Sequence, residues 1–326
     1  MMPPLISRYS ANITDTSSSD AQDGWKEIIP LHKRLYHLPR LLSSLSKLKL
    51  SSLVVATTMV GFQLSPLAYN TSLLGWTALG VGLSSFAANG FNQWLESPMD
   101  SQMGRTRTRP LPTNQLSPFL VFHFGLAAGV MGVGILALKI GWMAAVLSGV
   151  NILLYASVYT PMKRMGIVNT WIGAVVGAIP PMIGYVGGGG NPDLTCFTLG
   201  ALLYCWQFPH FNSLSWNLKN DYSRAGYCMA SILNPKLTLD SALRHSIATI
   251  PLSLLLVYSG ICSEWLAVDS TLVNSVLIFL AYQFRRDPSR KTARKLFLYT
   301  LIHLPLLLLV IILHRKRRAG LRPDVE

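Results

Sequence analysis

Charge is scarce in this chain. Only 13% of its 326 residues are Asp, Glu, Lys or Arg, whereas a soluble protein carries nearer a quarter. Acid is scarcest, with 14 Asp and Glu against 28 Lys and Arg. Cysteine is also rare. Cys196, Cys205, Cys228 and Cys262 form no CxxC pair, which excludes a disulfide framework or cysteine metal site and leaves them as free thiols. No secretory apolar core with a small-residue cleavage site is present. Asp15, Asp20 and Asp23 argue against residues 1–24 as a mitochondrial transit peptide, which would be poor in acid. Mitochondrial import would then use a longer N-terminus or internal signals.

Apolar length takes the place of charge. Half of the residues are hydrophobic and the mean hydropathy is +0.37. The net charge of +14 would suit nucleic acid, but the basic residues fall between apolar segments rather than on one soluble face. The expected partner is therefore a lipid bilayer, with no nucleic acid. Nine segments are long enough to cross it, near 51–69, 73–95, 117–138, 141–160, 168–187, 194–216, 243–262, 264–283 and 296–313. The fold class expected is all-α, a polytopic membrane protein of about nine transmembrane helices. Residues 1–48 read as a disordered and basic N-terminal extension, 49–315 as the transmembrane domain and 316–326 as a polar tail. About 22 of the 28 Lys and Arg fall on one side of that arrangement, the pattern of a cytoplasmic or matrix face. Arg315-Lys-Arg-Arg318 falls on the other side and breaks the pattern, unless the span count is off by one.

The polar residues that remain are concentrated. Asn92, Glu96 and Asp100 are spaced i, i+4, i+8, so they share one helix face. Carboxylates at a bilayer rim are costly unless a cation is bound, and hard oxygen ligands one turn apart suit Mg²⁺. Arg105, Arg107 and Arg109 follow, ready to clamp phosphate oxygens. Helix capping and surface charge could explain any one carboxylate, but not the whole pattern. Pro98 should kink or unwind the chain here. The second cluster, Gln207 to Gly226, holds Asn217, Asn220 and Asp221, flanked by Lys219 and Arg224. It reads as a degenerate copy of the first, or as an ordinary charged loop. His210 lies among Tyr204, Trp206, Phe208 and Phe211, where a structural hydrogen bond competes with a ligand role. Lys163 and Arg164 are either topology determinants or a second diphosphate clamp. Asn169 and Trp171 follow. Pro180-Pro181 and Gly187–Gly190 mark a broken helix and a loop. Carboxylate, metal and arginine at a membrane surface suggest a lipid diphosphate as substrate.

Asn92-x3-Glu96-x2-Met99-Asp100-x2-Met103-x-Arg105-Thr106-x2-Arg109 resembles the signature of the UbiA family of intramembrane aromatic prenyltransferases. Glu96 stands where most members have Asp, and the family's later glycine is absent after Arg109. Tyr159–Arg164, Asn169–Pro181, Trp206–Phe211 and Asp221–Gly226 are similar to the heme-farnesylating branch of that family, in its mitochondrial form. The resemblance implies a helical bundle around a central cavity. It implies transfer of farnesyl from farnesyl diphosphate to a vinyl group of heme b, giving heme O for heme A synthesis. Glu96, Asp100 and Asp221 would hold Mg²⁺, with Asn92 and Asn220 as neutral oxygen donors. Arg105, Arg109, Lys163, Arg164, Asn169, Asn217 and Arg224 would contact the substrates, with Trp206 and His210 on the heme. The chain would sit in the mitochondrial inner membrane with its site toward the matrix, or in a bacterial plasma membrane facing the cytoplasm. The next enzyme of heme A synthesis would be a natural partner. Two alternatives stay open: a family member acting on a quinone precursor, and a membrane transporter.

Overall fold

A computed structural model describes residues 31–66 and 70–316; the expectations for residues 1–30 and 317–326 lie outside them. The described residues are helical, with no strand among them. A first helix, α1 (Leu31–Leu45), precedes nine long ones: α2 (Leu48–Gln63), α3 (Thr71–Asp100), α4 (Pro118–Lys139), α5 (Trp142–Met162), α6 (Asn169–Gly187), α7 (Leu194–Asn217), α10 (Pro235–Tyr258), α11 (Trp265–Arg286) and α12 (Arg290–Leu313). Two short helices, α8 (Lys219–Arg224) and α9 (Ala230–Leu233), lie between α7 and α10. The nine long helices coincide with the nine apolar segments of the sequence.

Seven of them are long and apolar enough to cross a membrane, and α1 with α2 forms an eighth candidate bent by 55°. Helix α7 falls short because of what it buries. It packs between α6, α10 and α12 and carries Gln207, Asn212 and Ser213 into the protein interior. Interior polar groups need protein partners rather than lipid, and these have them. Asn212 donates to the Thr238 carbonyl at 2.9 Å and to Ser241 Oγ at 2.9 Å. Outward-facing positions such as Phe119, Val130, Leu138, Leu272 and Leu309 are more than half exposed, as lipid contact requires.

Two proline sites behave differently from expectation. Helix α3 does not unwind at Pro98 but runs on to Asp100. A proline removes only its own bond to the carbonyl four residues back, and Met99 and Met103 hold the next turn by packing with Tyr222 and Tyr227. Helix α6 likewise passes through Pro180-Pro181 unbroken and ends only at Gly187. It is braced by close contact with α2. A side chain at Gly61 would collide with the Pro181 carbonyl, and one at Gly184 with the Thr58 carbonyl, so both glycines allow backbones to touch. Helix α5 has a different irregularity, a π-helical stretch at Leu154–Tyr159.

The two ends of the bundle can be told apart by their hydrogen bonds. After the first, seventh and ninth long helices, Ser65, Ile261–Ser263 and His314–Lys316 are joined. Arg315 Nη2 donates to the Ser65 carbonyl at 3.1 Å, Ser263 N to the His314 carbonyl at 2.8 Å, and Lys316 N to the Ile261 carbonyl at 2.8 Å. Arg315 therefore lies at the end opposite the basic connections. Arg315 is thus an exception to the charge pattern, and seven or eight of the nine long helices qualify as membrane spans by length and hydropathy.

Candidate active site

At the other end, the connections after α3, α5 and α7 meet. An apolar knot joins them: Met103 from the first, with Tyr222, Ala225, Tyr227 and Met229 from the last. The middle connection is tied to the last by Cys228, whose N donates to the Lys163 carbonyl at 2.7 Å and whose Sγ donates to the Arg164 carbonyl at 3.2 Å. Asn169 is fully buried and completes this tie, donating to the Gly166 and Cys228 carbonyls. Gly226, at φ +73°, supplies the left-handed turn that lets the strap reverse.

The face of α3 that carries Asn92, Glu96 and Asp100 is turned into this junction, and all three are buried. Each has one Lys or Arg partner. Lys47 Nζ donates to Asn92 Oδ1 at 2.6 Å, Lys163 Nζ to Glu96 Oε1 at 2.6 Å, and Arg109 Nη1 to Asp100 Oδ2 at 2.5 Å. Asn92 also donates to Thr160 Oγ1 at 3.2 Å. The last turn of α5, beyond its π-helical stretch, thus supplies both Thr160 and the approach to Lys163. The Lys163 ammonium also lies 4.5 Å from the Tyr159 ring centre. Burial alone would lower the Lys163 pKa, but the Glu96 charge and nearby tyrosines reverse that and hold it well above the ordinary lysine value. Burial pushes the Tyr222 and Tyr227 phenols up, so both remain neutral donors.

Lys47 is the residue that the sequence did not single out as part of the site. It sits in the break between α1 and α2 at φ 46°, ψ 54°, a left-handed conformation costing a non-glycine residue about 1 kcal/mol. That break is pinned to α3. Asn89 donates to the Ser46 carbonyl at 3.2 Å, and Gln93 donates to the Ser44 and Leu45 carbonyls at 3.2 and 2.6 Å. Three side-chain bonds to backbone offset the strain and deliver the ammonium to Asn92. Asn89 and Gln93, polar, four residues apart and flanking Asn92, were the available signal that something docks there.

The remaining candidates are spread wider. Asp221 lies beside the loop glycine, its carboxylate oxygens 3.7 and 4.0 Å from where a Gly104 Cβ would stand. Arg105, Arg164, Asn220 and Arg224 are exposed. Asn217 donates to the Ser213 carbonyl at 3.1 Å. Trp206 and His210 are held against α12. Trp206 Nε1 donates to the Thr300 carbonyl at 3.2 Å, His210 Nδ1 lies 2.9 Å from Thr300 Oγ1, and the two rings stack at 4.6 Å.

Among the described residues no three His, Cys, Asp or Glu side chains converge as a ready metal cage. The expected trio of Glu96, Asp100 and Asp221 is not preassembled. The donor set nevertheless fits Mg²⁺, which binds through one or two carboxylates and otherwise keeps water and phosphate oxygens. Glu96 and Asp100 are buried, adjacent and hard.

Comparison with known proteins follows the same lines. Residues 54–304 match the model of the UbiA prenyltransferase family. The human protein named "Protoheme IX farnesyltransferase, mitochondrial" is 44% identical over 296 residues, covering 91% of this chain and 66% of the human one. This chain therefore spans just under two thirds of that relative's length. Among solved structures, one described as a digeranylgeranylglyceryl phosphate synthase superposes with a TM-score of 0.70 at 16% identity, covering 84% of this chain and 97% of that one. A UbiA homolog from Archaeoglobus fulgidus bound to DMAPP and Mg²⁺ gives a TM-score of 0.61 at 13% identity, covering 83% and 98%. At these identities the structures speak for the fold alone.

Proposed function

The chain belongs to the UbiA prenyltransferase family, and from that premise we propose that it transfers a farnesyl group from farnesyl diphosphate to a vinyl group of protoheme IX. The reading rests on the heme-farnesylating relative at 44% identity, together with the buried cluster of Lys47, Asn92, Glu96, Asp100, Arg109 and Lys163. The cluster pairs its own charges in the structure. A diphosphate entering it would exchange partners, drawing Lys163, Arg109 and Lys47 onto its oxygens. Those cations stabilise the negative charge that grows as the carbon–oxygen bond breaks and its electron pair leaves with diphosphate. Glu96 and Asp100, with Asp221 across the loop, would hold Mg²⁺, which would further neutralise that charge. Asn92, fixed by Lys47 and Thr160, orients the α3 face. The apolar walls keep water from the allylic carbon until the heme vinyl π-bond attacks it. Water then adds to the vinyl-derived carbon and loses a proton, giving the hydroxyethylfarnesyl product.

The positive end of the bundle is the matrix side of the mitochondrial inner membrane in this reading, and the product passes to the next enzyme of heme A synthesis. Arg105, Arg164, Asn217, Asn220 and Arg224 frame the entrance, and Asn169 braces it. The test is mass spectrometry of hemes extracted from cells that lack their own heme-farnesylating enzyme and express this chain. Heme carrying the hydroxyethylfarnesyl group is expected. Unmodified heme alone, with the protein present in membranes, would overturn the assignment.

His210 is the proposed contact to heme. Thr300 engages Nδ1, which leaves Nε2 for iron, and Trp206 stacks on the ring. His210→Ala should weaken heme b binding about tenfold, a loss near 1.4 kcal/mol, and leave farnesyl diphosphate binding unchanged. A Soret titration in detergent measures it. An unaltered spectrum and affinity would remove His210 from the acceptor site.

A further inference from the structure

Helices α10 and α11 leave a groove of about 400 Å³ at the same end of the bundle as the charge cluster but on its outer surface. Its lining is Leu237, Asp240, Leu243, Arg244, Ile247 and Arg285. Asp240 is the one acid there, and it accepts from Arg285 Nε at 2.6 Å. That contact leaves the terminal nitrogens of Arg285 free of Asp240. Arg244 is exposed and has no ion-pair partner among the described residues. The groove is therefore apolar along α10 and cationic at its rim. Ile247, 49% exposed, continues the apolar side toward the middle of the span.

The neighbouring connection strengthens this pattern. Arg286, Arg290, Lys291, Arg294 and Lys295 are all exposed. Four of them occupy the first six residues of α12, where the helix dipole disfavours positive charge. Ser289 and Thr292 form a capping box that keeps the helix start intact, so the fold tolerates these cations without gaining from them. An external anion would turn the same placement into a favourable one. At the positive rim of a bilayer, the abundant anions that bring apolar chains are phospholipids.

The geometry points to a binding site for one anionic glycerophospholipid on this groove. Its phosphate is held by Arg244 and the outer edge of Arg285, its headgroup faces the cations of the α11–α12 connection, and an acyl chain runs along Leu243 and Ile247. A free phosphate would use the arginines but not the apolar wall, so the occupant is a lipid.

Native mass spectrometry of the full chain released from detergent tests this. The probes are phosphatidylglycerol and phosphatidylcholine, which share the glycerol phosphate and acyl chains but differ in net charge. One phosphatidylglycerol should be retained in preference to phosphatidylcholine. Arg244→Gln and Arg285→Gln should each reduce its apparent affinity roughly fivefold, and inorganic phosphate should not displace it. Arg40→Gln, which removes an exposed arginine of α1, should leave binding unchanged. Equal retention of both lipids, or loss of preference in Arg40→Gln as large as in Arg244→Gln, would overturn the site in favour of unspecific charge. Displacement by phosphate at equal concentration would overturn the lipid and leave an anion site.

Discussion

Asp100→Asn should reduce the proposed heme farnesylation by about a thousandfold, equivalent to roughly 4 kcal/mol of transition-state stabilisation. The substitution keeps the shape of the side chain but removes a buried charge. Arg109, bonded to Asp100 Oδ2, would lose its counter-charge, and the α3 face would lose one of its two adjacent carboxylates. Both changes act where negative charge builds on the leaving group. The assay is turnover in membranes holding equal amounts of intact variant and parent protein. Turnover within threefold of the parent would remove Asp100 from the metal and from the mechanism. Glu96→Asp keeps the charge and changes only its reach, so its effect should be far smaller.

Lys163→Met should be nearly as damaging, and it should also destabilise the protein. Its ammonium and the Glu96 carboxylate are both largely buried, with side-chain exposures of 13% and 6%. Removing one partner of such a pair costs about 3–5 kcal/mol because the other charge is stranded. A clear fall in thermal midpoint and a turnover loss of at least about a hundredfold are expected together. Lys163→Arg should recover most of the stability and only part of the activity, since a planar fork replaces a point charge. The pH dependence has a definite sign. The folded-state pKa of Lys163 stands above its unfolded value of 10.5. The stability it contributes is thus fully present below 10.5 and is lost only as pH rises through the higher folded value. A loss of activity between pH 8 and pH 9 that vanished in Lys163→Arg would contradict this assignment.

Much of this arrangement is legible in residue order. The nine apolar segments emerge because length and hydropathy alone decide whether a helix can span lipid. The Asn92, Glu96, Asp100 face emerges because a four-residue spacing survives whatever packs around it. What did not emerge depends on contacts between distant segments. Helix α1 is held by Leu41 and Leu45 against Leu111, Leu116 and Val121, and Lys47 is placed by bonds from Asn89 and Gln93. Neither is visible in local composition. The prolines of α3 and α6 mislead for the same reason: propensity predicts a break, and packing against neighbouring helices overrides it. Asp221 follows the site in order but reaches it only through the knot around Met103 and Tyr222.

The π-helical stretch at Leu154–Tyr159 has a consequence for how this chain can change over time. One turn there holds an extra residue, and Thr160 N bonds to the carbonyl five positions back, at Tyr155. Narrowing this turn to the α repeat with all its residues kept would advance everything downstream by about 100° of rotational phase. Thr160 and Lys163 would swing off Asn92 and Glu96 while every amino acid in the cluster kept its identity. A single-codon deletion in these six positions would instead remove the extra residue and leave the downstream phase nearly as it stands. The cluster therefore depends on the winding of Leu154–Tyr159, a property that no side chain in the cluster itself carries.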